Sequence, residues 1–395
     1  MTTSKKWTYS SGGFPQCLHQ TTYTAPAPAA LKPTEIQVRT HAFAINPVDV
    51  QAMNLRHDTT ALIPWPLSAF VPAGLNSSSQ SESEACCDFS GTILHVGSAV
   101  SSSNAFEPGD EVFGFTMAPS NGHGTAGEVL TLDTAPGSNV AVAKKPKSWD
   151  HTHAAAVPLV YLTARVCIDS VQAYMGQDKD KRGSAGEGTG NAAKWLVVLG
   201  GSSSTGASTI QIAKARGWKV LATCSGRNVD FVKQQLGADD VIDYTAAQDS
   251  VPAEVLRRLR SLGGLAAPES GGDAVVIVDC VGGTECLDHA ELGPKILRYV
   301  TIVGDKTDRT SMGGPAIYWK HPNMLRRWFW GKLGWGVHYD CVILDARKDW
   351  LEEAGRTLSK DEIVIDSIFK FDELPKALEK MVGGQVRGKL VGTIA

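Results

Sequence analysis

The stretch with the clearest chemistry runs from Trp195 to Gly206, WLVVLGGSSSTG. Its apolar start reads as a short buried strand, and the glycine- and serine-rich turn after it leads into a helical segment, Ser208 to Ala215. Such a turn lets Gly200, Ser202, Ser203, Ser204, Thr205 and Gly206 aim backbone N–H groups, together with the positive end of a helix dipole, at one point. A pyrophosphate is the anion that this order of strand, turn and helix cradles. The spacing is Gly200-x-x-Ser203-x-x-Gly206 rather than a full GxGxxG, so the flanking elements carry the reading. The plainer alternative is a glycine turn that only lets a helix pack on a strand.

About 20 residues beyond the turn, an NAD-selective site places Asp or Glu on the ribose hydroxyls. Here the end of the next strand reads Thr223-Cys224-Ser225-Gly226-Arg227, without a carboxylate. Ser225 can donate to a 2′-phosphate and Arg227 can neutralise it, which favours NADPH over NADH. Arg227 can equally be read as a solvated surface cation.

The elements that would position these residues alternate. After WLVVL and its helix come a strand at Lys219 to Thr223, a helix at Asn228 to Leu236, and strands opening at Val241, at Ala274 to Asp279 and at Tyr299 to Val303. Fully apolar strands separated by helices predict a parallel sheet covered on both faces. A long helix is predicted from Ala154 to Met175 ahead of them, followed by a polar, glycine-rich insertion at 182–193. The N-terminal part reads as all-β, with strands at Ile36 to Ala44, Gly91 to Val96, Glu111 to Phe115 and Gly127 to Leu132; Asn46-Pro47 breaks the first of these. The serine run from Asn76 to Glu84 has nothing to bury and reads as a surface loop. An amphipathic helix from Glu373 to Val382 and a strand from Gly388 to Ile394 close the chain; periodicity does not say which core they join.

At 395 residues, 43% of them hydrophobic and 20% charged, the chain is long enough for two cores. A formal net charge of −3 offers no general attraction to nucleic acid. Eight cysteines without repeated CxxC spacing point to a reducing compartment rather than a disulfide framework or a structural zinc. The start MTTSKKWTYSSGG lacks the apolar core of a secretory signal, and no stretch approaches the roughly 20 apolar residues of a membrane span, so the cytosol is the expected location.

Several motifs resemble one family over nearly the whole chain and in its order. They are Asn46-Pro47-Val48-Asp49, Asp88-Phe89-Ser90-Gly91, GDEVFG at 109–114, AAAVP at 154–158 with Thr163-Ala164, the GGSSSTG turn, LGADDVIDY at 236–244 and Arg387-Gly388-Lys389. The family is the medium-chain dehydrogenase/reductases, in the zinc-free branch of quinone reductases and enoyl reductases. GVHY at 336–339 is similar to the branch with the reticulon-interacting mitochondrial oxidoreductase, and GGSSSTG to the loop of fungal polyketide trans-enoyl reductases.

The resemblance implies an α/β protein with a GroES-like, β-rich catalytic domain at 1–155, completed by 346–395. A Rossmann domain at 156–345 and a homodimer are implied as well. It places Asn46 and Thr163 beside the nicotinamide, Val281 and Val303 at strand ends where the ring would dock, and Tyr244 near the adenosine. Asn46 and Cys87 stand where zinc dehydrogenases carry their first two ligands, Cys and His, so a catalytic metal is not expected. Ser203 replaces the middle glycine of the family turn, and Gln51 stands where several polyketide enoyl reductases carry lysine. Each site residue has a plainer reading: Asn46 as the cap of a turn, Thr163 bonding its own helix, Cys280 as a buried thiol. His123 and His338 are candidate proton donors by pKa alone.

Between Ile317 and Trp335, IYWKHPNMLRRWFWGKLGW mixes aromatic with basic residues. It can wall a large apolar substrate pocket, lie on a membrane surface, or form an ordinary packed helix and loop. The expected function is an NADPH-dependent reductase of an enone or quinone, acting on an apolar small molecule. A zinc-free carbonyl reductase or alcohol dehydrogenase, and an NADPH-binding protein without turnover, stand as alternatives.

Overall fold

The computed structural model describes residues 3–10, 13–62, 82–103, 105–117, 123–175, 193–247, 249–265, 274–313, 321–384 and 386–394. The chain forms two compact units, Met1–Leu162 with Asp308–Met312 and Asp345–Ala395, and Thr163–Thr307 with Gly313–Leu344. In chain order the strands are β1 (Thr3–Tyr9), β2 (Leu18–Thr24), β3 (Glu35–Ile45), β4 (Ser83–Glu84), β5 (Asp88–Val96), β6 (Glu111–Thr116), β7 (Val129–Asp133), β8 (Val140–Lys144), β9 (Trp195–Leu199), β10 (Lys219–Cys224), β11 (Asp240–Asp243), β12 (Val275–Asp279), β13 (Ile296–Thr301), β14 (His338–Cys341), β15 (Ile365–Lys370) and β16 (Lys389–Thr393). The longer helices are α1 (Pro47–Leu62), α2 (Pro158–Gln172), α3 (Ser204–Ala215), α4 (Val251–Ser261), α5 (Pro322–Lys332), α6 (Lys348–Thr357) and α7 (Leu374–Gly383).

In the first unit a sheet runs β15-β16-β3-β5-β6-β8, with β7 also on β3, and β1 pairs with β2 and β4. The C-terminal tail therefore belongs to the β-rich unit: β16 lies antiparallel to β3, Leu390 opposite Ile45. Its core joins both chain ends. Phe43, Ile45 and Met53 pack with Phe371, Leu374, Leu378 and Leu390, and Trp7 Nε1 donates to Phe371 O at 2.9 Å. Pro47 ends β3 as expected, but it also opens α1, because a first helical position needs no N–H. Ser83 and Glu84 depart from the loop reading: they form β4 against Thr8 and Tyr9, and Ser83 is buried. Residues 76–81 of that run lie outside the described residues.

The second unit is the expected parallel sheet, in the order β11-β10-β9-β12-β13-β14. Every residue of β9 and β12 is buried, as strands covered on both faces require. Local departures have local causes. The single helix expected from Ala154 to Met175 is two, His151–Ala156 and α2, divided at Val157 because Pro158 lacks an N–H. Asn228 to Leu236 forms a tight turn, Gly226–Asn228, and then one wide helical turn, Phe231–Gln235. β13 starts and ends earlier than its apolar run suggests, which leaves Val303 in the following loop. β14, HYDC, is too short and polar to be seen by periodicity. The insertion at 182–193 lies outside the described residues except for Ala193, and so do residues 317–320.

Candidate functional site

At the end of β9 the chain turns through Gly200, whose φ of +79° lies in the left-handed region. A side chain there would also meet Val281 Cγ1 at 2.5 Å. Ser203 N donates to Gly200 O at 2.9 Å, and Ser203 caps α3 by accepting from Gly206 N at 3.0 Å. The Gly200 amide donates to Thr223 Oγ1 at 3.0 Å and the Gly201 amide to Thr223 O at 2.8 Å, which locks the turn onto β10. What faces away from these bonds is the first turn of α3, including Thr205, where the dipole is positive and N–H groups find no carbonyl of their own helix. The residues fit a dinucleotide pyrophosphate.

Asn228, which the sequence reading passed over, joins this turn to the end of β10. Its Nδ2 donates to Ser202 Oγ and to Ser225 Oγ, each at 3.2 Å. Ser225 accepts there, so its own hydroxyl proton remains available to another acceptor. Arg227 is exposed on the same turn. The end of β10 does meet a carboxylate, carried by β11: Asp243 accepts from Thr245 Oγ1 at 2.6 Å and Thr245 N at 2.9 Å, and also from the Gly226 amide. The Thr245 bonds, chiefly, hold its carboxyl below the usual range. Its lone pairs are thus engaged by the neighbouring turn rather than left for a ribose. Tyr244, next to it, is exposed.

Two further residues that sequence reasoning missed build the loops carrying Val281 and Val303. Asp279, fully buried at the end of β12, accepts from Val281 N and Gly282 N, each at 2.9 Å. Thr301, at the end of β13, donates to Asp279 Oδ2 at 2.8 Å and accepts from Val303 N at 3.1 Å and Gly304 N at 3.0 Å. Burial pushes the Asp279 carboxyl up, and the two amides pull it back. Val281 is half exposed beside Gly200. The available signal was an Asp closing an apolar strand just before Cys280-Val281-Gly282-Gly283. Burial raises the Cys280 thiol well above its usual value, which suits a structural thiol.

In the first unit Asn46 sits within a buried charged cluster. Its carboxamide Nδ2 donates to Asp88 Oδ2 at 2.9 Å, and its Oδ1 accepts from Lys389 Nζ. Lys389, brought in by β16, also lies 3.0 Å from Asp88 Oδ2. A cation on one side and a carboxylate on the other fix which end of the carboxamide is oxygen. The Asn46 amide donates to Asp49 Oδ2 at 2.7 Å, and Cys87 Sγ donates to Asp49 Oδ1 at 3.6 Å. Burial pushes the Asp49 carboxyl up to about 7; the Asn46 N–H opposes that rise and the charge of Asp88 adds to it. Cys86, just before Cys87, holds φ at +66°, a region that non-glycine residues rarely occupy. This donor set does not fit a zinc ion: the Cys87 proton is directed to Asp49, and Asn46 already faces an ammonium. Gln51 donates to Arg309 O at 3.1 Å, within the same unit.

Thr163, on α2, is buried and begins the second unit, whereas Asn46 belongs to the first. His338 starts β14 opposite Arg298 and therefore lies toward the N-terminal ends of the parallel strands, away from the Gly200 turn at the C-terminal end of β9. That position removes it as a proton donor at the strand-end loops. His123 is exposed in the first unit, and its carbonyl accepts from Thr116 Oγ1 at 3.3 Å.

Comparison with known proteins agrees with this architecture. Residues 32–135 match the alcohol dehydrogenase GroES-like domain, and residues 236–391 match the family described as zinc-binding dehydrogenase. The chain is 30% identical to the mitochondrial NAD(P)H oxidoreductase RTN4IP1 of Danio rerio, over 94% of this chain and 87% of that protein. It is 27% identical to the trans-enoyl reductase cghC of Chaetomium globosum, over 71% of this chain and 68% of that one. The quinone oxidoreductase of Coxiella burnetii has a similar fold, with a TM-score of 0.68 at 22% identity and all of both chains covered. With its GroES-like and Rossmann units, the chain belongs to the medium-chain dehydrogenase/reductase family of oxidoreductases.

Proposed function

We propose that this oxidoreductase is an NADPH-dependent, zinc-independent reductase of an activated double bond, an enone or a quinone carried on an apolar small molecule. The observation that carries the cofactor choice is the turn after β10. There Asn228 orients Ser225 to donate, Arg227 supplies positive charge, and the carboxylate at the end of β11, Asp243, is engaged by Thr245. Gly200 to Gly206 would receive the pyrophosphate, with Tyr244 near the adenosine and Val281 and Val303 against the nicotinamide. Bound NADPH supplies the hydride. The oriented carboxamide of Asn46, with one Nδ2 hydrogen beyond its bond to Asp88, would donate to an oxygen of the substrate or cofactor, and Thr163 would do the same from α2.

The names of similar proteins, a trans-enoyl reductase and a quinone oxidoreductase, support reduction of conjugated C=C or quinone over a simple carbonyl. A homodimer and a cytosolic location belong to the same proposal. The Danio rerio relative is named mitochondrial, and cell fractionation decides between the two compartments. The functional test follows NADPH oxidation by the purified protein against enones, quinones and aldehydes. Turnover with an enone or quinone is expected. Turnover with aldehydes alone would make it a carbonyl reductase, and calorimetric NADPH binding without any turnover would make it a binding protein.

A further inference from the structure

Asp88 is fully buried, and its carboxylate takes three donors. Oδ2 accepts from Asn46 Nδ2 at 2.9 Å and from Lys389 Nζ at 3.0 Å, while Oδ1 accepts from the Leu159 amide at 2.7 Å. The backbone around it is pinned. Asp88 opens β5 opposite Ala44 of β3 on one side and Phe115 of β6 on the other, and its carbonyl accepts from the buried Thr125 hydroxyl at 2.8 Å. A side chain held this way is a fixed reference for whatever it bonds.

The Leu159 bond caps a helix from 71 residues away in the chain. α2 begins at Pro158, which has no N–H, so the Leu159 amide is the first that the helix can offer. It stands at the positive end of the helix dipole, where a carboxylate is favoured and the bond is charge-assisted. Thr163 follows Leu159 by four residues, one turn along the same side of α2. Fixing the first turn therefore fixes the rotation at which the Thr163 side chain leaves the helix. Asn46 is governed from the other oxygen. Its reversed carboxamide would turn an NH2 group toward the Lys389 ammonium and an oxygen toward Asp88. The same carboxylate thus decides where the second Nδ2 hydrogen of Asn46 points.

We propose that Asp88 is a positioning residue of the reductase site. One of its oxygens sets the carboxamide of Asn46, and the other sets the first turn of the helix that bears Thr163. This rests on the roles given to Asn46 and Thr163 above.

The test starts from Asp88→Asn, which keeps the size and one acceptor oxygen. With that oxygen on the Leu159 amide, the new NH2 group meets the NH2 of Asn46 beside Lys389, and the Asn46 carboxamide must turn. The kcat for NADPH oxidation, with an enone or quinone that the parent reduces, should fall about a hundredfold, while the Kd for NADPH in calorimetry moves by less than about threefold. Rates are counted per NADPH-binding site, so unfolded protein does not enter. Should the single variant not fold, Asp88→Asn with Lys389→Met removes both charges of the pair and carries the same expectation. A further result separates positioning from a merely structural role. In protein already carrying Asn46→Ala and Thr163→Val, Asp88→Asn should add less than about threefold to the loss, because the groups it acts through are gone. A kcat per site within about twofold of the parent, or a full loss that persists in that background, would overturn the role of Asp88 and leave the reductase reading standing. A parent that turns over neither enone nor quinone would remove the reductase reading itself, and this role with it.

Discussion

Thr301 Oγ1 and Asp279 Oδ2 stand 2.8 Å apart, and that one bond ties the loop after β13 to the loop after β12. Replacing Thr301 by Val removes a donor from a buried carboxylate and the acceptor of the Val303 and Gly304 amides at once. The expected cost is roughly 2–4 kcal/mol in urea unfolding. The KM for the reduced cofactor should rise with it, and Thr301→Ser should restore both. A stability loss with KM untouched would leave the pair a purely structural role.

Lys389→Met strands Asp88 without its buried counter-ion and frees the oxygen end of the Asn46 carboxamide. Breaking one partner of a buried pair typically costs about 3–5 kcal/mol. Chemical denaturation should show a loss of that size. Lys389→Arg, which keeps the charge in a larger group, should lose less. A change under about 1 kcal/mol would mean that Asp88 is already satisfied by Leu159 N and Asn46 alone.

Asp49 makes stability depend on pH in an unusual direction for a carboxylate. Its folded pKa, about 7, lies above the unfolded value, so between pH ~4 and ~7 the folded chain binds more protons than the unfolded one. Its contribution to stability is complete at the acid end, is lost as pH rises through about 7, and changes little beyond. Asp49→Asn should remove this fall, an effect of up to about 4 kcal/mol seen by comparing unfolding curves at several pH values. Parallel curves for both proteins would show that Asp49 does not hold a proton in the folded state.

Arg227→Ala should raise the KM for NADPH well above tenfold and leave that for NADH nearly unchanged, since one charge-assisted phosphate contact is worth roughly 1.5–3 kcal/mol. Initial rates with both cofactors measure it. Equal effects on the two would remove the arginine from the 2′-phosphate.

The sheet of the second unit was legible in the sequence because strands covered on both faces are written as unbroken apolar runs, WLVVL and AVVIVD above all. β14 escaped because it alternates polar with apolar residues over only four positions. Asn46 was visible through its motif, but its partners were not. Lys389 is 343 residues away, and only the pairing of β16 with β3 brings its ammonium to the carboxamide. Asp279 and Thr301 were hidden for a related reason: each is one ordinary polar residue at a strand end, and their meaning lies in the parallel register that sets Asp279 beside Thr301. Asp243 shows the limit of reading for a carboxylate by spacing, since the acid nearest the end of β10 comes from the neighbouring strand.

That β16 lies between β3 and β15 has a consequence for synthesis on the ribosome. The parallel sheet has all of its strands once Cys341 has emerged, whereas the β-rich unit, although begun first, must wait for residues near 390. Until then Asp88 has no ammonium to meet, and the flank of β3 from Ala42 to Ile45, beyond the part that β7 covers, is an open edge available to any other strand. The domain encoded in the middle can thus mature ahead of the one encoded at the beginning, and a nascent chain halted before Lys389 would be a client for chaperones.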